Sequence, residues 1–335
     1  MSEFQLAPFP TVQVKCLSMH SLVIINNAAA KARRSWPNIK KQLDSAGLKF
    51  DVYQTKGPRD ATVKTREALR NGITTIAVVG GDGTLSEVAE GFFSFNDDLD
   101  VSPIVINPNA KLALFPAGTG DDFARGLRGK RSPLQSWVDT FISHSEVNVR
   151  SVDVLYGRCN DFQNAFICLN ASTMGIGGDT AALVAGQGKL LRNFSGEFRF
   201  AAAAFRALAV WRERRVRVTV DGQVMADAPM NLIGVANGLY AGGGMMLSPD
   251  ARADDGKLDV VTASGLWRTN VVTELSRVHR GGHVGNPKVK IVRGETVRIE
   301  TFSPQDALPI EADGNVRGVT PVHYRVLPGA LRIVS

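Results

Sequence analysis

Apolar positions in the first third of the chain alternate between two patterns. Ser21 to Ile25 (SLVII), Leu48 to Tyr53 and Thr74 to Val79 (TTIAVV) are short apolar runs with the length and β-branched content of strands. Between them, Lys31 to Ala46 sets Ile39, Leu43 and Ala46 at helical spacing and stops at Gly47, and Thr62 to Arg70 predicts a second helix. Strands alternating with helices imply right-handed βαβ units and a parallel sheet. Lys111 to Phe115 (KLALF) continues that sheet after a polar stretch from Ser94 to Ala110.

Beyond about Ser143 the pattern changes to short β-branched runs bounded by Gly, Pro, Asn and Asp. They are Val147 to Leu155, Ala165 to Leu169, Val216 to Val220, Met230 to Ala236, Leu258 to Ala263, Val289 to Val292, Thr296 to Glu300 and Val322 to Leu327. One helical block, Phe194 to Trp211, stands among them. The expected organisation is a tail over 1–20, an α/β domain with a parallel sheet over 21–143, and a β-rich, sandwich-like domain over 144–335 whose last strand could return to the first domain.

Length agrees with that division, since 335 residues suit two domains of about 150 residues each. The widely spaced Cys16, Cys159 and Cys168 offer neither a disulfide framework nor a paired zinc spacing, so a reducing compartment is the default. No run approaches the roughly 18 apolar residues of a membrane span, and Glu3 and the early prolines argue against a signal peptide, which makes a cytoplasmic location the expectation. The net charge of +7 is concentrated between Gly186 and Val220, where eight basic residues face Glu197 and Glu213. Arg192, Arg199 and Arg206 recur there every seven residues. A local surface for anionic lipid headgroups explains this better than a general affinity for nucleic acid, and an amphipathic helix with solvated charges explains it equally simply.

The densest chemistry follows the third strand. Gly80-Gly81-Asp82-Gly83-Thr84 runs into a helix bearing Leu85, Val88, Ala89 and Phe92 on one face. Glycines let the backbone approach a bulky anion, and the helix start behind them offers free N–H groups and a positive dipole end. Asp82, taken as uncrowded, is placed to hold Mg²⁺ or to accept a proton from an attacking hydroxyl; the plainer alternative is that it caps its own helix. Neither a P-loop nor a GxGxxG fingerprint is present. A second motif, Phe115-Pro116-Ala117-Gly118-Thr119-Gly120-Asp121-Asp122-Phe123-Ala124-Arg125, also ends a strand, so both fall on the carboxyl edge of one sheet, where open α/β folds bind ligands. There Thr119 can donate to a phosphate and Arg125 can offset charge, while Asp122 as a cap with Phe123 in the core is compatible with that. His279 and His283 are four apart, but Gly281-Gly282 between them argues against a metal-binding helix.

GGDGT at 80–84 followed by PAGTGDDFAR at 116–125 resembles the catalytic domain of the diacylglycerol kinase and lipid kinase family, which includes sphingosine and ceramide kinases. The resemblance continues through Gly175-Ile176-Gly177-Gly178-Asp179, Gly242-Gly243-Gly244, Asp254-Asp255-Gly256-Lys257-Leu258-Asp259 and Glu311-Ala312-Asp313-Gly314. It implies a fold shared with NAD kinases and phosphate transfer from ATP to a lipid hydroxyl, at a membrane surface in a peripherally associated protein, with a homodimer as a further expectation. NAD kinases also use GGDGT, but PAGTGDDFAR argues against a dinucleotide substrate. By the resemblance ATP contacts Asn26, Asn27, Ala28, Ala29 and Ala30, then Thr55, then Gly80, Gly81, Asp82, Gly83, Thr84, Leu85 and Ser86, and finally Thr119. A Mg²⁺-linked site involves Asp255 with backbone oxygens of Arg252 and Lys257, in a loop whose carboxylates also read as a solvated acidic turn.

Three positions depart from the family pattern. Asn26 to Ala30 lacks the Pro and Gly of the usual Asn-Pro-x-x-Gly turn, Asp121 replaces an Asn, and Asn315 stands where the family has a Glu assigned as proton acceptor. Asparagine is no general base at neutral pH, which leaves Asp82 and Asp313 as candidates and a catalytically impaired nucleotide- or lipid-binding homologue as the alternative.

Overall fold

The computed structural model of the chain describes residues 20–96, 101–143, 146–159, 164–186, 203, 206–209 and 211–335. Its first part runs β1 (Ser21–Ile25), α1 (Ala30–Ser45), β2 (Phe50–Gln54), α2 (Asp60–Arg70), β3 (Thr75–Gly80) and α3 (Asp82–Gly91). A small hairpin of β4 (Phe93–Ser94) and β5 (Ile104–Val105) leads to β6 (Lys111–Pro116), α4 (Asp122–Arg128) and α5 (Leu134–Ile142). Strands β6, β3, β1 and β2 lie side by side in parallel. Every residue of β1 and β3 is buried, as continuous apolar runs covered on both faces require.

The second part is antiparallel and β-rich. It comprises β7 (Val149–Cys159), β8 (Asn164–Cys168), β9 (Ala171–Gly175), α6 (Ile176–Ala185), β10 (Arg214–Val220), β11 (Gln223–Met230), β12 (Leu232–Ala236), β13 (Tyr240–Ala241) and β14 (Met245–Met246). Then come β15 (Leu258–Ala263), α7 (Arg268–Val278), β16 (Val289–Gly294), β17 (Thr296–Thr301), β18 (Pro309–Ala312), β19 (Asn315–Val319) and β20 (Val322–Val334). One sheet orders β16-β15-β12-β9-β18-β19; the other orders β11-β10-β17-β20 and runs on through β6 into the parallel strands. Leu155, Phe166, Met174, Val218, Ile233, Val260, Ile299 and Tyr324 belong to the core of this part. Strand β20 pairs antiparallel with β7 and β17, and its Arg332–Val334 end pairs parallel with Lys111–Ala113.

The pattern of the sequence needs three corrections. Met230 to Ala236 is two strands, because buried Asn231 turns its side chain into two hydrogen bonds with the backbone of Leu266. The last strand runs on past Leu327 to Val334, with Pro328-Gly329 absorbed by a register shift in which Gly329 takes φ 57° and donates to Asp153 Oδ1. Trp211 is buried but not helical, and most of the block from Phe194 lies outside the described residues, as do Lys189, Arg192, Arg199 and the first 19 residues. Among the described residues no helix is long and apolar enough to cross a membrane.

The two parts are also joined by a buried ion pair. Arg317 on β19 donates to Glu90 on α3 at 2.9 Å and to Ser86 Oγ at 3.2 Å, with the Glu90 side chain 1% exposed. Removing Arg317 leaves buried Glu90 with only exposed Arg59, at 3.7 Å, among the described residues, so Arg317→Ala is expected to cost about 3 kcal/mol in urea unfolding. A loss below about 1 kcal/mol would show that the pair is solvated and not a fastener.

Candidate active site

The two glycine motifs meet backbone to backbone. A Cβ on Gly118 would sit 2.5 Å from Gly81 Cα, and one on Gly81 would sit 2.9 Å from Gly118 Cα, so neither position tolerates a side chain. Ala117 N donates to Gly80 O, fixing the second loop on the end of β3. The first turn joins them, because Asn26 Nδ2 donates to Thr84 Oγ1 at 2.8 Å while Asn26 Oδ1 accepts from Ala28 N. Thr55 N donates to Ile25 O beside it. Asn26 to Ala30, Thr55, Gly80 to Thr84 and Thr119 thus gather at the carboxyl edge of the parallel strands. Leu85 and Ser86 do not face that edge. Leu85 packs in the core, and buried Ser86 donates to Ile167 O, so both support the loop from behind.

Asp82 is not the uncrowded loop residue expected from the sequence. Gly81 is the cap of α3, and Asp82 is the first helical residue, its carboxylate reaching across to accept from Asp122 N and Phe123 N, each at 3.0 Å. It caps α4 rather than its own helix. Asn170 Nδ2 lies 3.5 Å from the same carboxylate. Burial, then the charge of Asp122, push the Asp82 pKa up to about 7 despite the two N–H donors. Asp122 accepts from Gly243 N through Oδ2, while its buried Oδ1 has no partner among the described residues, and burial raises its pKa as well. Phe123 lies in the core.

Asp313 occupies the turn between β18 and β19 at φ 47° and accepts from Leu169 N at 2.7 Å and Asn170 N at 3.0 Å. Burial raises its pKa. Asn315 opens β19 with its Nδ2 3.5 Å from Gly83 O, so the residue that replaces the family Glu stands directly against the glycine loop. Glu311 accepts from Thr173 Oγ1 and Gly314 N, and burial pushes its pKa up to about 7. It was not among the site residues read from the sequence, although two-residue spacing along β18 toward Asp313 is a signal that could have found it.

A neighbouring basic residue answers the second departure from the family pattern. Asp121 adopts φ 52°, a left-handed conformation that Asn and Asp tolerate, and its added charge is met by Lys31 from the first turn of α1 at 3.2 Å. Arg125 stacks over Tyr240 and abuts Gly244, close enough to Asp122 for its charge to favour the ionised carboxylate. The acidic loop at 250–259 is internally satisfied: Arg293 pairs with Asp255 and Asp259, Lys257 N donates to Asp255 Oδ1, and Arg252 pairs with Asp254. A cation on Asp255 would have to displace that guanidinium. His279 follows α7, and His283 is buried on Leu247 O, so the two do not form a ligand pair.

Beside the glycine loop opens a cavity of about 670 Å³. One end is polar, formed by Asp82, Gly83, Asn170, Glu311 and Asp313, and the remaining wall is largely apolar, with Ile176, Val184, Leu232, Leu247 and Val261 among its residues. No short stretch of sequence announces it, because its walls come from α6, β9, β12, β15 and α7. Among the described residues no three His, Cys, Asp or Glu side chains converge as a metal cage. The unpaired Oδ1 of Asp122 suits instead a Mg²⁺ that takes the rest of its shell from phosphates and water.

The comparisons decide the family. Residues 20–155 match the diacylglycerol kinase catalytic domain, and residues 173–335 match the YegS C-terminal NAD kinase beta sandwich-like domain. The chain belongs to the diacylglycerol kinase family. It is 28% identical over 306 residues to a diacylglycerol kinase of Staphylococcus carnosus (strain TM300), covering 90% of each chain. A diacylglycerol kinase of Staphylococcus haemolyticus (strain JCSC1435) matches at 28% over 306 residues, 90% of this chain and 84% of that one. Among solved structures, a diacylglycerol kinase from Bacillus anthracis str. Sterne superposes with a TM-score of 0.63 at 22% identity, over 94% of this chain and 96% of that one, which carries the fold.

Two outcomes test this geometry. Gly118→Ala forces the glycine loops apart and is expected to destabilise the fold by about 1–3 kcal/mol in thermal unfolding, where Gly57→Ala, with open space around it and no positive φ, leaves the loops in contact. Carboxyls with raised pKa values bind more protons folded than unfolded, so their contribution to stability is fullest below the ordinary carboxylate range and is lost as pH rises through about 7. The urea midpoint is therefore expected to fall between about pH 5 and about pH 8, and to fall less in Asp82→Asn. An equal fall in the variant would remove Asp82 as a source.

Proposed function

We propose that this diacylglycerol kinase homologue is an ATP- and Mg²⁺-dependent lipid kinase that transfers the γ-phosphate to a hydroxyl of a diacylglycerol-like or sphingoid lipid, working peripherally at a membrane surface. The observation that carries this reading is the cavity, whose apolar walls suit acyl chains and whose polar end is the glycine loop with Asp82 and Asp313. A dinucleotide would find few partners along such walls, which weighs against an NAD kinase-like role.

The reaction needs little covalent help from the protein. The lipid oxygen attacks the γ-phosphorus, the bond from that phosphorus to the β,γ-bridging oxygen breaks, and the hydroxyl proton passes to a carboxylate. Mg²⁺, carried by ATP, would neutralise charge on the phosphates. Asp82 suits the proton transfer best, because it lines the polar end of the cavity beside the glycine loop and its two backbone donors hold it in one orientation. Asp313 and Glu311 line the same polar end. The free N–H groups at the start of α3 suit the phosphates.

Asn315 favours a second reading, a homologue that binds but transfers poorly. Phosphate transfer from labelled ATP to a panel of lipids plus NAD separates the two. Labelled lipid is expected with the wild type, reduced by about a hundredfold or more in Asp82→Ala. No labelled product from the wild type, with transfer restored by Asn315→Glu, establishes the second reading.

A further inference from the structure

The cavity wall formed by Leu266, Val271, Leu275 and Val278 belongs to α7 and the residues that enter it. The outer side of the same element is unusually apolar for an exposed surface. Trp267 is 77% exposed, Val272 50% and Leu275 38%, and Val284 in the following turn is 46% exposed. Leu275 belongs to both sets, so the apolar lining of the cavity reaches the surface at that point, beside the Glu274–Arg277 pair. Single exposed apolar residues are ordinary, but four on one helix and its flanking turns, one of them at a cavity mouth, suit an interaction site.

Charge identifies the partner. Between Ser264 and Lys290, five exposed cations, Arg268, Arg277, Arg280, Lys288 and Lys290, stand against Glu274 alone. Glu274 is taken by Arg277 at 3.0 Å, while among the described residues Arg268 and Lys288 bond to backbone carbonyls, of Trp211 and Gly265, which leave their charge uncompensated. Cations around an exposed tryptophan suit the headgroup region of an anionic bilayer, where the indole sits at the interface and the basic side chains meet phosphate.

We propose that α7 and its flanking turns dock on an anionic lipid bilayer, setting the cavity mouth at Leu275 against the membrane from which the lipid is drawn. This rests on the lipid kinase reading and adds the surface that delivers the substrate. Membrane contact has a reason here, because an acyl chain passing from bilayer to cavity across this mouth would not have to cross water.

Sedimentation of the full chain with vesicles of phosphatidylcholine alone, or mixed with phosphatidylserine, tests the assignment. The wild type is expected to pellet with the mixed vesicles and to be released by salt. The double variant Trp267→Ala/Val272→Ser is expected to lose about tenfold in partitioning, and Arg280→Glu/Lys290→Glu to lose both affinity and salt dependence. Thermal unfolding confirms that the variants are folded, and their transfer to a short-chain lipid in non-ionic detergent micelles is expected to match the wild type, since neither pair touches the reacting groups. Variants that pellet as the wild type does, or a wild type that ignores mixed vesicles, would overturn the proposal. So would a change of oligomeric state in the variants with partitioning unchanged, which would make the patch a self-association surface. Vesicle binding that depends on the patch, in a protein that transfers no phosphate, would uphold the docking surface and reject the kinase reading.

Discussion

Two buried carboxylates hold the site together by accepting backbone N–H groups from other segments. Asp82 ties the start of α3 to the start of α4, and Asp313 ties the β18–β19 turn to the chain between β8 and β9. Hydrogen bonds to a charged acceptor are among the stronger ones. Each carboxylate is nevertheless pushed toward its neutral form by burial, so fastening and reactivity compete in the same two groups. The apolar cavity, the glycine loop and the turn bearing Asn315 all lie within reach of these two fasteners. Natural sites commonly trade stability for function in this way.

The parallel sheet was legible in the sequence because its strands are buried on both faces and need no partner residues to be recognised. SLVII and TTIAVV became β1 and β3 within a residue of the expected ends. Elements that depend on distant contacts were not legible. Helix α6 begins with Ile176-Gly177-Gly178, poor helix formers placed there because added Cβ atoms would meet Thr173 and the Pro309 carbonyl. Strands β18 and β19 are short and broken by Asp313-Gly314, both at positive φ. Helix α7 has Thr and Asn in its first turn, and its apolar residues serve both the cavity and the surface, which blurs a single amphipathic stripe.

At the site, the ordered motifs were enough to name the glycine loop, Asp82, Asp313 and Asn315. What they could not give was partnership. That Lys31 answers Asp121, that Arg293 occupies Asp255, and that Glu311 shares a cavity with Asp313 are facts of tertiary contact between residues far apart in sequence. The departures from the family pattern therefore look different in three dimensions: the extra charge at 121 is neutralised locally, whereas the missing carboxylate at 315 has other carboxylates nearby.

The shared strand β20 also constrains the order in which the protein can be made. Strand β6 has its parallel partner β3 as soon as the first part is synthesised, but its other edge is completed only by Arg332–Val334, after the entire second part has left the ribosome. During that interval the nascent first domain presents an unpaired apolar edge, the kind of surface that recruits other strands or holding chaperones. Completion of the β6 edge therefore waits for β20, which follows β7 to β19 in the chain, so that a chain cut short before β20 leaves this inner edge open.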